Sequence, residues 1–191
     1  DVPYTRDTAQ QFAAITPFLI KALAQTPDPD TALTRFGQIL SQLPTPATLY
    51  NLLKYNPNLT RYLTAVIANS DYLAEVLVHD ISLLDLIGTP GHLDAPTTLE
   101  SLEMELDALE HAADSAPALY RLRDGEMLKI ALRELVNGIS VAAVGDELTQ
   151  LADFVVAAVL RRARKAVADR YGEVNVPFAA IALGKFGGRE M

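Results

Sequence analysis

Apolar residues recur every three or four positions along most of the chain, and Pro, Asn, Asp and Gly separate the segments that they form. This period is typical of amphipathic helices. In the N-terminal half the pattern predicts five helices: residues 8–24, a second from a cap at Asp30 to 43, a third from the turn 43–47 to 56–58, a fourth over 59–68 and a fifth over 72–87. Short helices joined by tight turns are typical of a compact bundle.

The stretch 88–96, G-T-P-G-H-L-D-A-P, is rich in Gly and Pro and lacks apolar periodicity, so it is the best candidate for a linker. It predicts a helical connector or regulatory bundle over 1–94 and a second domain over 95–191. In the second domain, Thr97 and Glu100 form a capping box that opens a helix ending near 114. Longer helices are predicted over 117–137, with Leu128, Leu132 and Leu135 on one stripe, and over 146–171, with Leu148, Leu151, Val155 and Val159 on one stripe and a stop at Gly172.

The period changes at 178–183, where the run F-A-A-I-A-L lies between Pro177 and a glycine-rich turn. A short apolar run in that setting predicts a buried β-strand, the only one in the chain. We expect this lone strand to fray or pack irregularly, because its backbone N–H and C=O groups have no ladder partner. The fold is therefore predicted to be mainly α.

Composition narrows the classes of function. The sequence has no cysteine, which excludes disulfides, thiolate zinc sites and cysteine nucleophiles and suits a reducing, cytoplasmic compartment. The net charge of −8 is uneven, since residues 1–119 hold 5 basic and 15 acidic residues whereas 120–191 hold 11 and 9. An acidic chain binds nucleic acid poorly, but a basic C-terminal end suits a phosphate. No signal peptide or membrane span is predicted, and because the sequence opens on Asp1 we expect it to be part of a longer protein.

Three sets of charged or titratable residues are interpreted as ordinary surface. Four acidic residues share one helix face opposite leucines: Glu103, Asp107, Glu110 and Asp114. Three histidines show no metal-ligand spacing: His79, His92 and His111. Five cations end the longest helix and complement its dipole: Arg161, Arg162, Arg164, Lys165 and Arg170. A phosphate-facing or partner-facing role stays open for the five cations, and no metal site is predicted.

The ending A-I-A-L-G-K-F-G-G-R-E-M is the most informative segment, because an apolar run leads directly into Gly184, Gly187 and Gly188. Glycine allows a sharp turn and lets backbone N–H groups approach an anion where a Cβ would interfere. The order of residues is neither that of a Walker P-loop nor that of a dinucleotide fingerprint. On these residues alone, a phosphate cradle and a generic strand-to-helix turn are equally open.

The string G-K-F-G-G-R-E-M resembles the G-K-L-G-G-[RK]-E-L signature of the glutamine-synthetase adenylyltransferase (glutamate–ammonia-ligase adenylyltransferase) family, within the polymerase-β-like nucleotidyltransferases. Phe186 stands where the family usually has Leu. The helical strings Y-R-L-R-D-G-E-M-L-K-I-A-L-R-E-L and D-E-L-T-Q-L-A-D are also similar to family segments. N-P-N-L, the S-x-x-L-A-E pattern and L-L-D-L-I resemble the connector that precedes the second of the family's two domains, which attaches AMP to a tyrosine of glutamine synthetase.

The resemblance implies AMP transfer from ATP, with Mg²⁺, by the parent enzyme. It implies that the backbone of Gly187 and Gly188 faces the nucleotide phosphates, with Lys185 or Arg189 contributing charge. That both are solvated loop charges is an equally open interpretation. In the family an S-D-[LI]-D motif follows the turn and its carboxylates hold two Mg²⁺ ions. We expect those catalytic and metal-binding carboxylates to lie beyond Met191, so this truncated chain is expected to be inactive and to hold neither ATP nor Mg²⁺.

Two other interpretations remain. The first is a non-catalytic helical module that binds glutamine synthetase or a PII-type regulatory protein, motivated by the acidic N-terminal bundle. The second is the deadenylylating domain of the same family, which carries the same signature. The L-L-D-L-I connector argues against that second interpretation.

Overall fold

The computed structural model describes residues 6–112, 115–173, 176–189 and 191. In these ranges the chain is mainly helical and contains no strand. None of the helices there combines the length and the apolar character needed to cross a bilayer. The helices in chain order are α1 Arg6–Leu23, α2 Pro29–Gln42, α3 Pro46–Tyr55, α4 Pro57–Asn69, α5 Asp71–His79, α6 Leu83–Ile87, α7 Leu99–Ala112, α8 Ser115–Asn137, α9 Val141–Tyr171 and α10 Gly184–Gly187.

Side-chain caps set the starts of the N-terminal helices. The carboxylate of Asp28 accepts the N–H of Thr31 at 3.1 Å and begins α2, and the amide oxygen of Asn56 accepts the N–H of Leu59 at 3.3 Å and begins α4. In both helices the residue after the cap is proline, whose fixed φ suits the first helical position. The predicted cap at Asp30 is therefore wrong, because that residue already lies in the first turn of α2.

The helix predicted over 72–87 is two helices, α5 and α6. Between them, the carboxylate of Asp80 accepts a hydrogen bond from the backbone N–H of Ser82 at 3.1 Å and a second one from the hydroxyl of the same residue. Such local side-chain bonds offer the backbone an alternative to helical hydrogen bonding. The break is therefore caused by a turn that apolar periodicity does not reveal.

The start of α7 also differs from the prediction. The hydroxyl oxygen of Thr98, not Thr97, accepts the N–H of Ser101 at 3.2 Å. The hydroxyl oxygen of Thr97 instead accepts a hydrogen bond from the ammonium of Lys129, with an N–O distance of 2.6 Å. Because Thr97 makes this tertiary contact, the N-terminal cap of α7 is Thr98, one residue later than predicted.

The helix α9 begins earlier than predicted and turns a slightly different face inward. Ser140 caps it by accepting the N–H of Ala143 at 3.2 Å. Of the predicted stripe, Leu151 is buried but Val159 is 49% exposed, whereas Phe154 is buried. The stop at Gly172 is confirmed, and that residue has a φ of 81°, a left-handed value that favours glycine.

The Cα positions fall into two compact units. The first comprises the described residues up to Asp94 together with Ala131–Asn137 at the end of α8. In it α1 packs on α3 and α4, and α2 packs on α4 and α5. Its largest fully buried side chains are Phe36, Ile39, Leu59, Leu63, Ile67, Leu77, Leu83, Leu84, Ile87 and Leu132.

The second unit comprises Ala95–Ile130 and Gly138–Met191. One core cluster among its described residues is drawn from α7, α8 and α9: Leu102, Leu106, Leu119, Leu122, Phe154 and Ala158. Burial of this apolar area, worth roughly 25 cal/mol per Å², stabilises the three helices against one another. Whether 1–94 and 95–191 fold as separate domains stays a prediction.

The predicted strand over 178–183 is wrong for this structure, since the described residues 176–183 adopt no regular secondary structure. Ile181 and Leu183 are 81% and 82% exposed. A strand needs a neighbour to pair its N–H and C=O groups, and no described segment supplies one. The first strand of a polymerase-β-like domain is therefore not seen.

Candidate functional site

The glycine-rich segment forms one tight turn, the short helix α10. Gly184 enters it with a φ of 63°, and Arg189 leaves it with a φ of 59°. The N–H of Gly188 donates to the carbonyl of Gly184 at 2.9 Å, and the N–H of Gly187 donates to the carbonyl of Leu183 at 3.4 Å. In this conformation, the two backbone donors predicted to face phosphates are used inside the turn.

Glycine is required at position 187 by a close backbone approach. A Cβ added there would lie 2.5 Å from the carbonyl oxygen of Ala182 and 2.9 Å from its carbonyl carbon. Carbon and oxygen atoms normally approach no closer than about 3.3 Å. The turn and the preceding apolar segment can therefore pack this closely only because Gly187 has no side chain.

The two charged residues of the predicted site differ in their surroundings. The guanidinium of Arg189 lies 3.3 Å from a carboxylate oxygen of Asp153 on α9, and both side chains are more than half exposed. Lys185 is exposed in the middle of the turn. The structure thus brings all four predicted residues together in one turn and ties one of its two cations to α9.

The basic end of α9 borders an open cavity of about 660 Å³. Arg164 and Lys165 line it, Glu173 adds one carboxylate, and Phe178 closes one side with its ring 4.7 Å from the Arg164 guanidinium. A cation over a ring face at this distance is attracted by the ring quadrupole. Arg161 does not line this cavity and instead lies 3.5 Å from a carboxylate oxygen of Glu103.

A buried polar group at the α8–α9 side of the second unit was missed by sequence reasoning. Glu126 is 7% exposed and lies with Thr97 and Glu147 at a small cavity of about 20 Å³. Burial raises the pKa of the Glu126 carboxyl, while the hydroxyl of Thr97 and the charge of Lys129 act in the opposite direction. One signal could have revealed it: Glu126 lies four residues after a buried leucine and four before a buried isoleucine.

The remaining residues considered from the sequence are the three histidines and the acidic face of α7. In the part of the chain that the structure describes, no group of three or more His, Asp or Glu side chains could hold a metal ion. His79 shares a hydrogen bond of 2.8 Å with the carbonyl of Glu75 within α5. The side chains of Glu110, His111 and Asp114 lie outside the described residues.

These features define a mainly helical protein that ends, among its described residues, in a glycine turn held against its longest helix. Residues 60–191 match the glutamate-ammonia ligase adenylyltransferase family, and the chain belongs to that family. The resemblance read from the signature is therefore confirmed.

Curated relatives carry the same description, bifunctional glutamine synthetase adenylyltransferase/adenylyl-removing enzyme. The chain is 30% identical to that of Brucella suis over 190 residues, which is 97% of this chain and 19% of the relative. It is 33% identical to that of Methylococcus capsulatus over 179 residues, 86% of this chain and 19% of the relative. It is 29% identical to that of Shewanella oneidensis, over 99% of this chain and 21% of the relative. The chain thus spans about a fifth of the length of these relatives.

Proposed function

We propose that this chain supplies the helical lead-in and the nucleotide-facing glycine turn of an enzyme that transfers AMP from ATP to a tyrosine of glutamine synthetase in the cytoplasm. The observation that carries the proposal is the packing of Gly187 on the Ala182 carbonyl within the family signature. The names of the relatives support adenylyl transfer and glutamine synthetase as its target.

The proposed role of the turn is to bind the phosphate oxygens of the nucleotide. Lys185 offers an exposed ammonium, and Arg189 offers a guanidinium that can change partner from Asp153 to a phosphate, since their exposed ion pair is worth at most about 1 kcal/mol. The N–H groups of Gly187 and Gly188 reach an anion only if they leave their partners within the turn. Phosphate binding on this proposal is therefore coupled to a rearrangement of α10.

The described residues do not fit a magnesium site, because no three acidic or histidine side chains converge among them. The sequence also contains no S-D-x-D string that would supply paired carboxylates. We therefore assign this chain no catalytic residue and no metal ligand, and we propose that by itself it does not transfer AMP.

A chimera tests the proposal. The segment of the Brucella suis relative that aligns with 97% of this chain is replaced by residues 1–191, and both transfer of labelled AMP from ATP to glutamine synthetase and removal of AMP are measured. We expect the chimera to transfer AMP and Gly187→Ala to lower the rate about tenfold to a hundredfold, because a displacement near 1 Å at a reacting centre has that effect. The 191-residue chain alone should give no transfer.

Gly37→Ala is the matched control, because no atom lies within 4 Å of a Cβ added at Gly37 in α2. It should leave both activities of the chimera within about twofold, as expected for an exposed helix position. A folded chimera without transfer would refute the proposal, and so would full transfer by Gly187→Ala. Loss of AMP removal alone would assign the chain to the deadenylylating domain instead.

The second candidate function is a non-catalytic helical module that binds glutamine synthetase or a PII-type regulatory protein. The excess of acidic residues in 1–119 favours it, and so does an apolar groove between α1, α3 and α4 that is lined by Lys21, Lys54 and Arg61. Calorimetric titration of the 191-residue chain with each protein tests it. Micromolar binding to either would support the module, and no heat of binding with both would refute it.

A further inference from the structure

An apolar groove crosses the first unit between α1, α3 and α4, with a volume of about 500 Å³. Its floor is formed by Ile15, Leu19 and Leu53, all of which are buried. Phe18 stands at its edge with 71% of its surface exposed. A large aromatic side chain left this open at an apolar groove is typical of a surface that a partner covers.

The edges of the groove are basic although the surrounding sequence is acidic. Lys21, Lys54 and Arg61 line it, and no acidic residue does so among the residues that the structure describes. Residues 1–119 contain only 5 basic residues against 15 acidic ones, so three of those five surround one groove. None of the three forms an ion pair with a described carboxylate. Their positive charge is therefore available to an acidic partner.

The length of the groove fits a short helix. Its lining on α1 runs from Ala14 to Ala22, which at about 1.5 Å per residue is about 12 Å, or slightly more than two helical turns. A helix of that length presents apolar anchors at positions i, i+3, i+4 and i+7 to such a groove. A small ligand is normally enclosed over about 70–90% of its surface, which the exposed ring of Phe18 does not provide.

We propose that this groove binds an amphipathic helix of a partner protein whose apolar face is flanked by acidic side chains. The apolar floor takes the anchors of that helix, and the three cations select for its acidic flanks. The inference concerns binding alone and does not depend on AMP transfer.

The test uses the 191-residue chain and a fluorescein-labelled helical peptide of about 14 residues, with Leu at i, i+3, i+4 and i+7 and Glu on both flanks. A second peptide carries Lys in place of every Glu. Fluorescence anisotropy should show saturable binding of the acidic peptide that weakens with added salt, and at least about tenfold weaker binding of the basic one.

Variants locate the site. Lys54→Glu should weaken binding of the acidic peptide about tenfold, and Phe18→Ala should weaken binding of both peptides several-fold. The matched control is Gln38→Glu with Gln42→Glu, two exposed positions on α2 that together change the net charge by the same −2. The control should bind within about twofold of the parent chain.

Several results would overturn the proposal. These are no saturable binding of the acidic peptide below about 1 mM, equal binding of the two peptides, or equal weakening by Lys54→Glu and by the control. If dodecanoate binds the chain and the acidic peptide does not displace it, the groove would be assigned to a small amphiphile. Self-association of the chain that Phe18→Ala abolishes would assign it to a second copy.

Discussion

Gly187→Ala tests the geometry of the glycine turn directly. The added Cβ would lie 2.5 Å from the carbonyl oxygen of Ala182, so the two segments must separate by about 0.8 Å to restore an ordinary contact. Both contacting groups are fixed to the backbone, so a change of rotamer cannot relieve the overlap. The turn must open.

The cost follows from the hydrogen bonds that opening removes. The turn loses the bond from Gly188 to Gly184 at 2.9 Å and the weaker bond from Gly187 to Leu183 at 3.4 Å. At about 0.5–1.5 kcal/mol net for each bond, the local cost is about 1–3 kcal/mol. In a helix without this close contact, a Gly-to-Ala substitution would instead stabilise the helix by up to about 1 kcal/mol. A destabilising effect of Gly187→Ala would therefore indicate that the contact with Ala182 exists.

Trypsin measures the opening, because the bond after Lys185 lies inside the turn. Mass spectrometry should show that cleavage there is at least about tenfold faster in Gly187→Ala, since about 1.4 kcal/mol of easier opening raises the open population tenfold. The midpoint of thermal unfolding should change little, because the turn is exposed. Gly37→Ala should raise that midpoint and leave cleavage after Lys185 unchanged. Equal cleavage of Gly187→Ala and the parent chain would refute the predicted contact.

Three further predictions concern the second unit and its helix caps. Burial raises the folded-state pKa of Glu126 above its ordinary value of 4.5. The contribution of its protonated carboxyl to stability is therefore present below pH 4.5 and is lost as pH rises through the folded pKa. Urea unfolding should therefore show that Glu126→Gln becomes more stable relative to the parent chain as pH rises, by about 1.4 kcal/mol for each unit by which the pKa is raised. A difference in unfolding free energy that does not change with pH would contradict this prediction. Phe154→Ala should lower the free energy of unfolding by about 3–5 kcal/mol, because this core side chain is only 2% exposed. Val159→Ala should lower it by less than about 0.5 kcal/mol, because Val159 is 49% exposed. Similar losses for the two variants would show that Phe154 is not a core residue. Ser140→Ala should lower the free energy of unfolding by about 1 kcal/mol because the hydroxyl caps α9, and Thr45→Ala, whose side chain makes no cap bond, should cost only a few tenths.

Helix positions were largely predictable, because they depend on period and on local caps. Errors arose where a side chain had a competing partner. Thr97 resembles a cap in sequence but binds Lys129, which lies 32 residues away. Asp80 has no signal in apolar periodicity, yet its bond to Ser82 divides one predicted helix into two. Such competition depends on contacts that a linear pattern does not contain.

The candidate site was predictable in part. The glycine signature located the turn, since the need for Gly187 comes from a neighbour only five residues away. The predicted strand failed because pairing requires a second segment, which the apolar run cannot supply alone. The buried carboxylate of Glu126 was missed because a charged residue at an apolar position is normally treated as an interruption of the pattern rather than as part of the core.

The charge near the turn differs from what the sequence suggests. Counting residues 120–191 gives two more basic than acidic side chains, but the basic groups are divided among separate contacts. Arg161 lies against Glu103, Arg164 lies over the ring of Phe178, and Arg189 lies against Asp153. Under the proposed function, Lys185 is the exposed cation of the turn, and a phosphate would gain Arg189 only by replacing the carboxylate of Asp153. Since that exchange and the release of the Gly187 and Gly188 N–H groups involve the same turn, we expect phosphate binding and rearrangement of α10 to occur together.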